Sequence, residues 1–121
     1  MSDVSTDHPY SPAKRAGDHI YVSGALSVDA DYRPVPGRRE SLDAALQRMT
    51  ERLATAGGRP DDVVKLTYYV TDLSLREEAN QQFRENFAAT GAARTFLEVS
   101  RLPYGASVEI DAIAVTSEGG E

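Results

Sequence analysis

Arg94 opens one strand-like run after Gly91-Ala92-Ala93, and Glu109 and Asp111 stand inside another, Val108-Glu109-Ile110-Asp111-Ala112-Ile113-Ala114. A guanidinium beside otherwise apolar strands suits the grip of a small carboxylate, because its planar fork donates two parallel hydrogen bonds. A carboxylate nearby could then handle a water or a proton. The same two residues could instead form a structural ion pair, and residue types alone leave both readings open. Other chemistry is scarce. Cysteine is absent, which excludes disulfides, thiolate catalysis and cysteine-ligated zinc or iron–sulfur centres. His8 and His19 are isolated imidazoles that read as surface or loop residues, and no metal site is expected. Ser23 has no identifiable activating base, so a covalent mechanism has no support.

Composition narrows the partners. The 121 residues are expected to form one domain, residues 1–121, with 1–8 and 116–121 as flexible tails. A chain of this length buries roughly two-thirds of the surface its unfolded form exposes. The formal charge of −6 disfavours nucleic acid as a partner, since phosphate affinity rests on clustered Lys and Arg, and favours a small molecule. No apolar run approaches the ~20 residues of a membrane span. The polar, acidic start lacks the basic and apolar regions of a secretory signal, so a cytoplasmic location is expected.

The elements that must position Arg94 and Glu109 follow from periodicity. Two prolines, Pro9 and Pro12, hold Tyr10 in an extended segment. Ala13 to Ala16 and His19 to Ser23 read as strands joined by a Gly17-Asp18 turn, with Gly24 letting a ligand or backbone approach closely, or simply bending the strand. Apolar residues at Leu42, Ala45, Leu46, Met49, Leu53 and Ala56 mark a helix with one buried stripe, stopped by Gly57-Gly58. Val63 to Val70 alternates as a central strand, placing Val64, Leu66, Tyr68 and Val70 on one face and Val63, Lys65, Thr67 and Tyr69 on the other. Ser74-Leu75-Arg76-Glu77 has the pattern of a capping box for a second helix running to about Thr90, with Ala79, Phe83 and Phe87 inward. Asn80 falls beside that stripe, as a structural hydrogen-bonder or a site residue. The order β-β-α-β-α-β-β predicts an α+β fold with two helices on one face of a sheet. The other face, expected to carry Val63, Tyr69, Ile113 and Val115, is apolar enough to call for burial against another subunit.

Five stretches in this order and spacing resemble one family. They are Ile20-Tyr21-Val22-Ser23-Gly24, the run from Asp61-Asp62-Val63 to Thr71-Asp72-Leu73, Ala93-Arg94-Thr95, Arg101-Leu102-Pro103, and Val108 to Ala114, and together they resemble the RidA (YjgF) reactive-intermediate deaminases over about residues 9–115. The resemblance implies a chorismate-mutase-like mixed sheet, a homotrimer with clefts between subunits, and no cofactor. It also implies that Arg94 binds the substrate carboxylate, that Glu109 activates water, and that Tyr10, Ser23, Gly24 and Asn80 line the cleft. Three positions depart from the family pattern: Ala25 stands where many members have Gln, Ala92 replaces a common Pro, and Phe96 occupies a usually small position. Phe96 is two residues from Arg94, hence on the same strand face, and is expected to reshape the pocket for substrate.

The implied reaction is hydrolysis of 2-imino acids, formed from enamines such as 2-aminoacrylate, to 2-keto acids and ammonia. The iminium carbon is already electrophilic, so the protein needs mainly to fix the carboxylate and aim a water. Three alternatives stand beside it: a non-catalytic trimer that binds small carboxylates, a specialised hydrolase for a larger imine or enamine, and a ribonuclease. The acidic charge and the lack of paired histidines argue against the last. Arg38-Arg39 reads as a solvated helix start.

Overall fold

The computed structural model describes residues 8–116 and contains five strands and two α-helices. The strands are β1 (Ala13–Ala16), β2 (His19–Leu26), β3 (Val63–Val70), β4 (Ala93–Glu98) and β5 (Val108–Val115), and the helices are α1 (Arg38–Thr55) and α2 (Arg76–Phe87). They form one mixed sheet of order β1-β2-β5-β3-β4. Only β3 and β4 are parallel, as the crossover through α2 requires. The expected tails lie outside the described residues except for their innermost members. Of these, His8 shares a hydrogen bond with the Tyr32 hydroxyl and Thr116 is buried.

The core is the layer between the sheet and both helices. Central β5 buries Val108, Ile110, Ala112 and Ala114, α1 buries Leu42, Ala45, Leu46, Met49 and Leu53, and α2 adds Ala79 and Phe87. Each large side chain fully removed from water contributes about 1.5–3 kcal/mol. A polar side chain also sits in this layer. Gln82 is fully buried, accepts from the Tyr68 hydroxyl at 2.8 Å and donates to Asp43 at 2.8 Å, which ties β3, α2 and α1 together.

Three local expectations are corrected and a fourth, the helix start at Arg38-Arg39, is extended. In β3 the register shifts between Val63 and Lys65, so Val63 is buried with Leu66, Tyr68 and Val70 while Val64 is exposed. The bulge advances the alternation by one residue, and the second face therefore carries Lys65, Thr67 and Tyr69 but not Val63. Ser74 does not cap α2. Asp72 accepts from the Ser74 amide at 2.9 Å at the start of a 3₁₀ turn, Leu73–Leu75, that leads into the helix, while the Ser74 hydroxyl accepts from Arg38 at 3.1 Å. The helix ends at Phe87, earlier than expected, and Gly91 bonds back to Phe87. Arg38 and Arg39 are not free: they reach across to α2, Arg38 to Glu78 at 2.6 Å and Arg39 to Glu85 at 2.6 Å.

Candidate active site

Arg94 and Glu109 lie on opposite faces of the sheet. Arg94 pairs across to Leu66 and Phe96 to Tyr68, both residues of the buried face, so these side chains point toward the helices. Glu109 pairs with Tyr69 and Leu26 and points the other way. A structural ion pair between Arg94 and Glu109 within one chain is therefore not formed. β4 joins the sheet at its edge, beyond β3, and the register through β3 aligns Arg94 with Leu66 and inward Ala112, whereas Glu109 belongs to the alternate set of β5.

The predicted site residues divide between the two faces. Arg94, Asn80 and Phe96 meet on the helix side. The guanidinium lies 5.1 Å from the Tyr68 ring, 5.1 Å from Phe83 and 5.2 Å from Phe96, and Nη2 donates to Asn80 Oδ1 at 2.5 Å. Nη1 is buried with no hydrogen-bond partner among the described residues. Burial holds the Arg94 pKa below the ordinary arginine value, Tyr68 opposing and the Arg76 charge adding to it. The three rings recover part of that desolvation through cation–π attraction. Asn80 reaches the guanidinium because it stands beside the buried stripe of α2, where its position on the helix predicted it.

Tyr10, Gly24 and Glu109 line a cavity of about 210 Å³, with Arg48, Arg52 and Tyr104 on its other walls. A register shift between Val22 and Ala25 bulges β2 at Ser23-Gly24, and a Cβ on Gly24 would overlap the Glu109 carboxylate. A side chain there would have to push the Glu109 carboxylate aside, so close approach, not a turn, favours glycine. Ser23 does not line this cavity. Its hydroxyl donates to the Ser11 carbonyl at 2.7 Å and its amide to the Pro12 carbonyl at 2.9 Å, which holds the extended segment carrying Tyr10 against the sheet. Tyr10 in turn stacks on His8 at 5.1 Å. Glu109 is half-buried, and its carboxylate makes no hydrogen bond or ion pair with a described residue. Burial pushes its pKa above the ordinary carboxylate value, Asp111 adds to the rise, and Arg52 opposes it.

Sequence reasoning missed the wall of this cavity. Tyr32 and Tyr104 pack edge to face at 4.8 Å, and both hold φ near 62°, the only positive φ outside glycine among the described residues. Backbone held in this region costs about 1–2 kcal/mol per residue and concentrates at functional sites. His8, read as a surface or loop residue, sits in a loop and lines the same cavity. The signal for Arg48 and Arg52 was present in their i, i+4 spacing beside the apolar stripe of α1. Tyr32 and Tyr104 sit in loops, where no periodicity marks them. A more open depression of about 630 Å³ runs past Thr71, Arg101, Leu102 and Gly105, and it contains none of the predicted site residues. Among the described residues no group of three His, Asp or Glu is placed to hold a metal ion.

Comparison with known proteins places the chain. Residues 2–116 match the family described as Endoribonuclease L-PSP. The 2-iminobutanoate/2-iminopropanoate deaminase of Bos taurus is 38% identical over 109 residues, covering 88% of this chain and 80% of the bovine one. Among solved structures, the YjgF gene product of E. coli is 32% identical with a TM-score of 0.77, covering 88% of this chain and 87% of the other. RidA from an Antarctic Psychrobacter is 29% identical with a TM-score of 0.82, covering 95% and 94%. With a match along nearly its whole length and the same five-stranded mixed sheet under two helices, the chain belongs to the RidA/YjgF family.

Proposed function

We propose that this protein hydrolyses 2-imino acids to 2-keto acids and ammonia, in clefts that join the Arg94 face of one subunit to the Glu109 face of its neighbour in a homotrimer. The observation that carries the reading is that each face holds an unsatisfied, half-buried charge suited to this chemistry: Arg94 with an unpartnered Nη1, and Glu109 with a carboxylate that makes no hydrogen bond to a described residue. Groups of this kind are costly to leave unmade and are completed by a ligand or a partner. Support also comes from the bovine relative, which is named for this activity. The apolar character of the second face agrees with a subunit contact there, since Tyr21 and Leu97 are 46% and 36% exposed and Ile113 and Val115 lie beside them.

In this mechanism Arg94 takes the substrate carboxylate. Glu109, as carboxylate, removes a proton from a water as its oxygen bonds to the carbon of the protonated imine, whose C=N π pair passes to nitrogen to give a neutral tetrahedral carbinolamine. Glu109 then gives that proton to the nitrogen and takes the hydroxyl proton as the carbonyl forms and the carbon–nitrogen bond breaks, and it passes this proton to the departing ammonia, which leaves as ammonium with Glu109 again a carboxylate. A raised pKa suits this double duty, because a group that both takes and gives a proton works best near the operating pH. The reaction as written requires no cofactor. Phe96, stacked over the guanidinium, sets the space beside the carboxylate anchor.

Subunit complementation tests the arrangement. Arg94→Lys and Glu109→Gln are each expected to release little ammonia from freshly generated iminopropanoate, while trimers reassembled from a mixture regain activity, because some clefts then pair an intact Arg94 with an intact Glu109. No recovery on mixing, or a monomer by light scattering, would remove the shared cleft. Binding of keto acids without any ammonia release in the unmodified protein would identify a carboxylate-binding trimer instead.

A further inference from the structure

The Glu109 cavity carries more positive charge than its carboxylate neutralises. Arg48 and Arg52 stand one turn apart on α1 and both line it, a spacing at which like charges repel. Nearer the start of the same helix, Arg38 is paired with Glu78, and Arg39 with Asp43 and Glu85. Arg48 has no carboxylate partner and lies 5.0 Å over the Tyr32 ring. Arg52 makes no hydrogen bond or ion pair with any described residue, and its Nη1 is buried without a partner. In a chain of net charge −6, two guanidinium groups facing the single lining carboxylate of Glu109 leave a local positive excess at one small cavity.

We propose that Arg52, flanked by Arg48, is a second carboxylate site, so that the cleft prefers 2-imino acids whose side chains end in a carboxylate. The inference rests on the reading above, in which Arg94 of the neighbouring subunit takes the carboxylate next to the imine. A monocarboxylate would satisfy one of these two positive sites and leave the other unfilled. A short dicarboxylate would use both, with its reactive carbon held between them over Glu109. An arginine donates to a carboxylate through two parallel bonds, which would complete the Nη1 of Arg52. The cavity, at about 210 Å³, is smaller than pockets for drug-sized ligands and suits a short chain. Tyr32, beneath Arg48 and braced by Tyr104, keeps that guanidinium at the cavity wall.

Titration calorimetry with two inert products, 2-oxoglutarate and 2-oxobutanoate, tests the site without requiring turnover. The unmodified protein is expected to bind 2-oxoglutarate roughly ten-fold more tightly. Arg52→Gln should abolish that preference while leaving 2-oxobutanoate within about two-fold, and Arg52→Lys should keep part of it. Arg84→Gln, on the exposed side of α2, should change neither affinity. Equal affinities in the unmodified protein overturn the proposal, and so does an Arg52→Gln variant that weakens both ligands alike. If Arg52→Gln fails to fold by thermal melt, Arg48→Gln and Arg52→Lys must lower the preference, and an unchanged ratio in both overturns the proposal. Ammonia release from imines made in situ from glutamate and from 2-aminobutanoate separates the two readings. A binding preference without release from either imine leaves the second site standing and removes the hydrolase. Release from the monocarboxylic imine without any preference does the reverse.

Discussion

The Arg94 face and the Glu109 face are built from different material. Arg94 stands on an edge strand, and the rings around it, Tyr68, Phe83 and Phe96, belong to or pack against the apolar core. Glu109 stands on the central strand, yet the groups around its carboxylate come from the N-terminal segment, the β2 bulge, two loop tyrosines with positive φ, and the polar flank of α1. Arg94 is therefore coupled to folding, and Glu109 is not. Changes around Arg94 should cost stability and activity together, whereas changes around Glu109 should cost activity alone.

The sharpest test of that contrast is Glu109→Gln, expected to lower turnover by about 10²–10⁴-fold, as for loss of a general base. Its stability should not fall. Burial raises the Glu109 pKa above the ordinary 4.5, so the folded state binds more protons than the unfolded state in the window just above that value, and stability drops as pH rises through it. The amide removes this penalty. Denaturant melts should show the variant equal to or more stable than the unmodified protein at neutral pH, with the gap closing as pH falls below 4.5. A less stable variant would show that the carboxylate is structural. For the unmodified protein, kcat/KM should rise with pH through the same raised pKa, because the ionised form is the base.

Arg94→Lys comes next, with a loss of about 10–100-fold in kcat/KM, since an ammonium cannot donate the same paired bonds to a carboxylate. Unlike Glu109→Gln it should also lower the melting temperature, because Asn80 loses its guanidinium partner. Equal melts for the two variants would erase the contrast between the faces. Phe96→Ala should cost about 2 kcal/mol of stability, less than a fully buried Phe because the ring is partly exposed, and should move imine preference toward bulkier side chains. An unchanged ranking of substrates in the folded variant would leave Phe96 a core residue only. The smallest effect belongs to Asp72→Ala, which removes the side-chain acceptor of the Ser74 amide and touches neither face of the site. It should cost about 1 kcal/mol in a denaturant melt and leave hydrolysis unchanged.

Much of this protein was legible from its residues. The α1 stripe, the Gly17-Asp18 hairpin, the limits of β3 and the placing of Asn80 beside the α2 stripe all followed from periodicity and turn chemistry, which act over a few residues and are written locally. The pairing of Arg94 with Phe96 on one strand face followed in the same way. What the tertiary structure alone decided was which face each strand presents and what stands across from it. The single-residue bulge at Val64 shifts alternation without any compositional mark, the one at Ser23-Gly24 is marked only by its glycine, and the register through β3 turns Arg94 away from Glu109. Arg52, Tyr32 and Tyr104 become neighbours of Glu109 only when a helix and two loops far apart in sequence close on the same bulge. Local patterns encode elements; long-range packing selects register, facing and the company a charge keeps, and for this chain the division of the site between two faces is of that second kind.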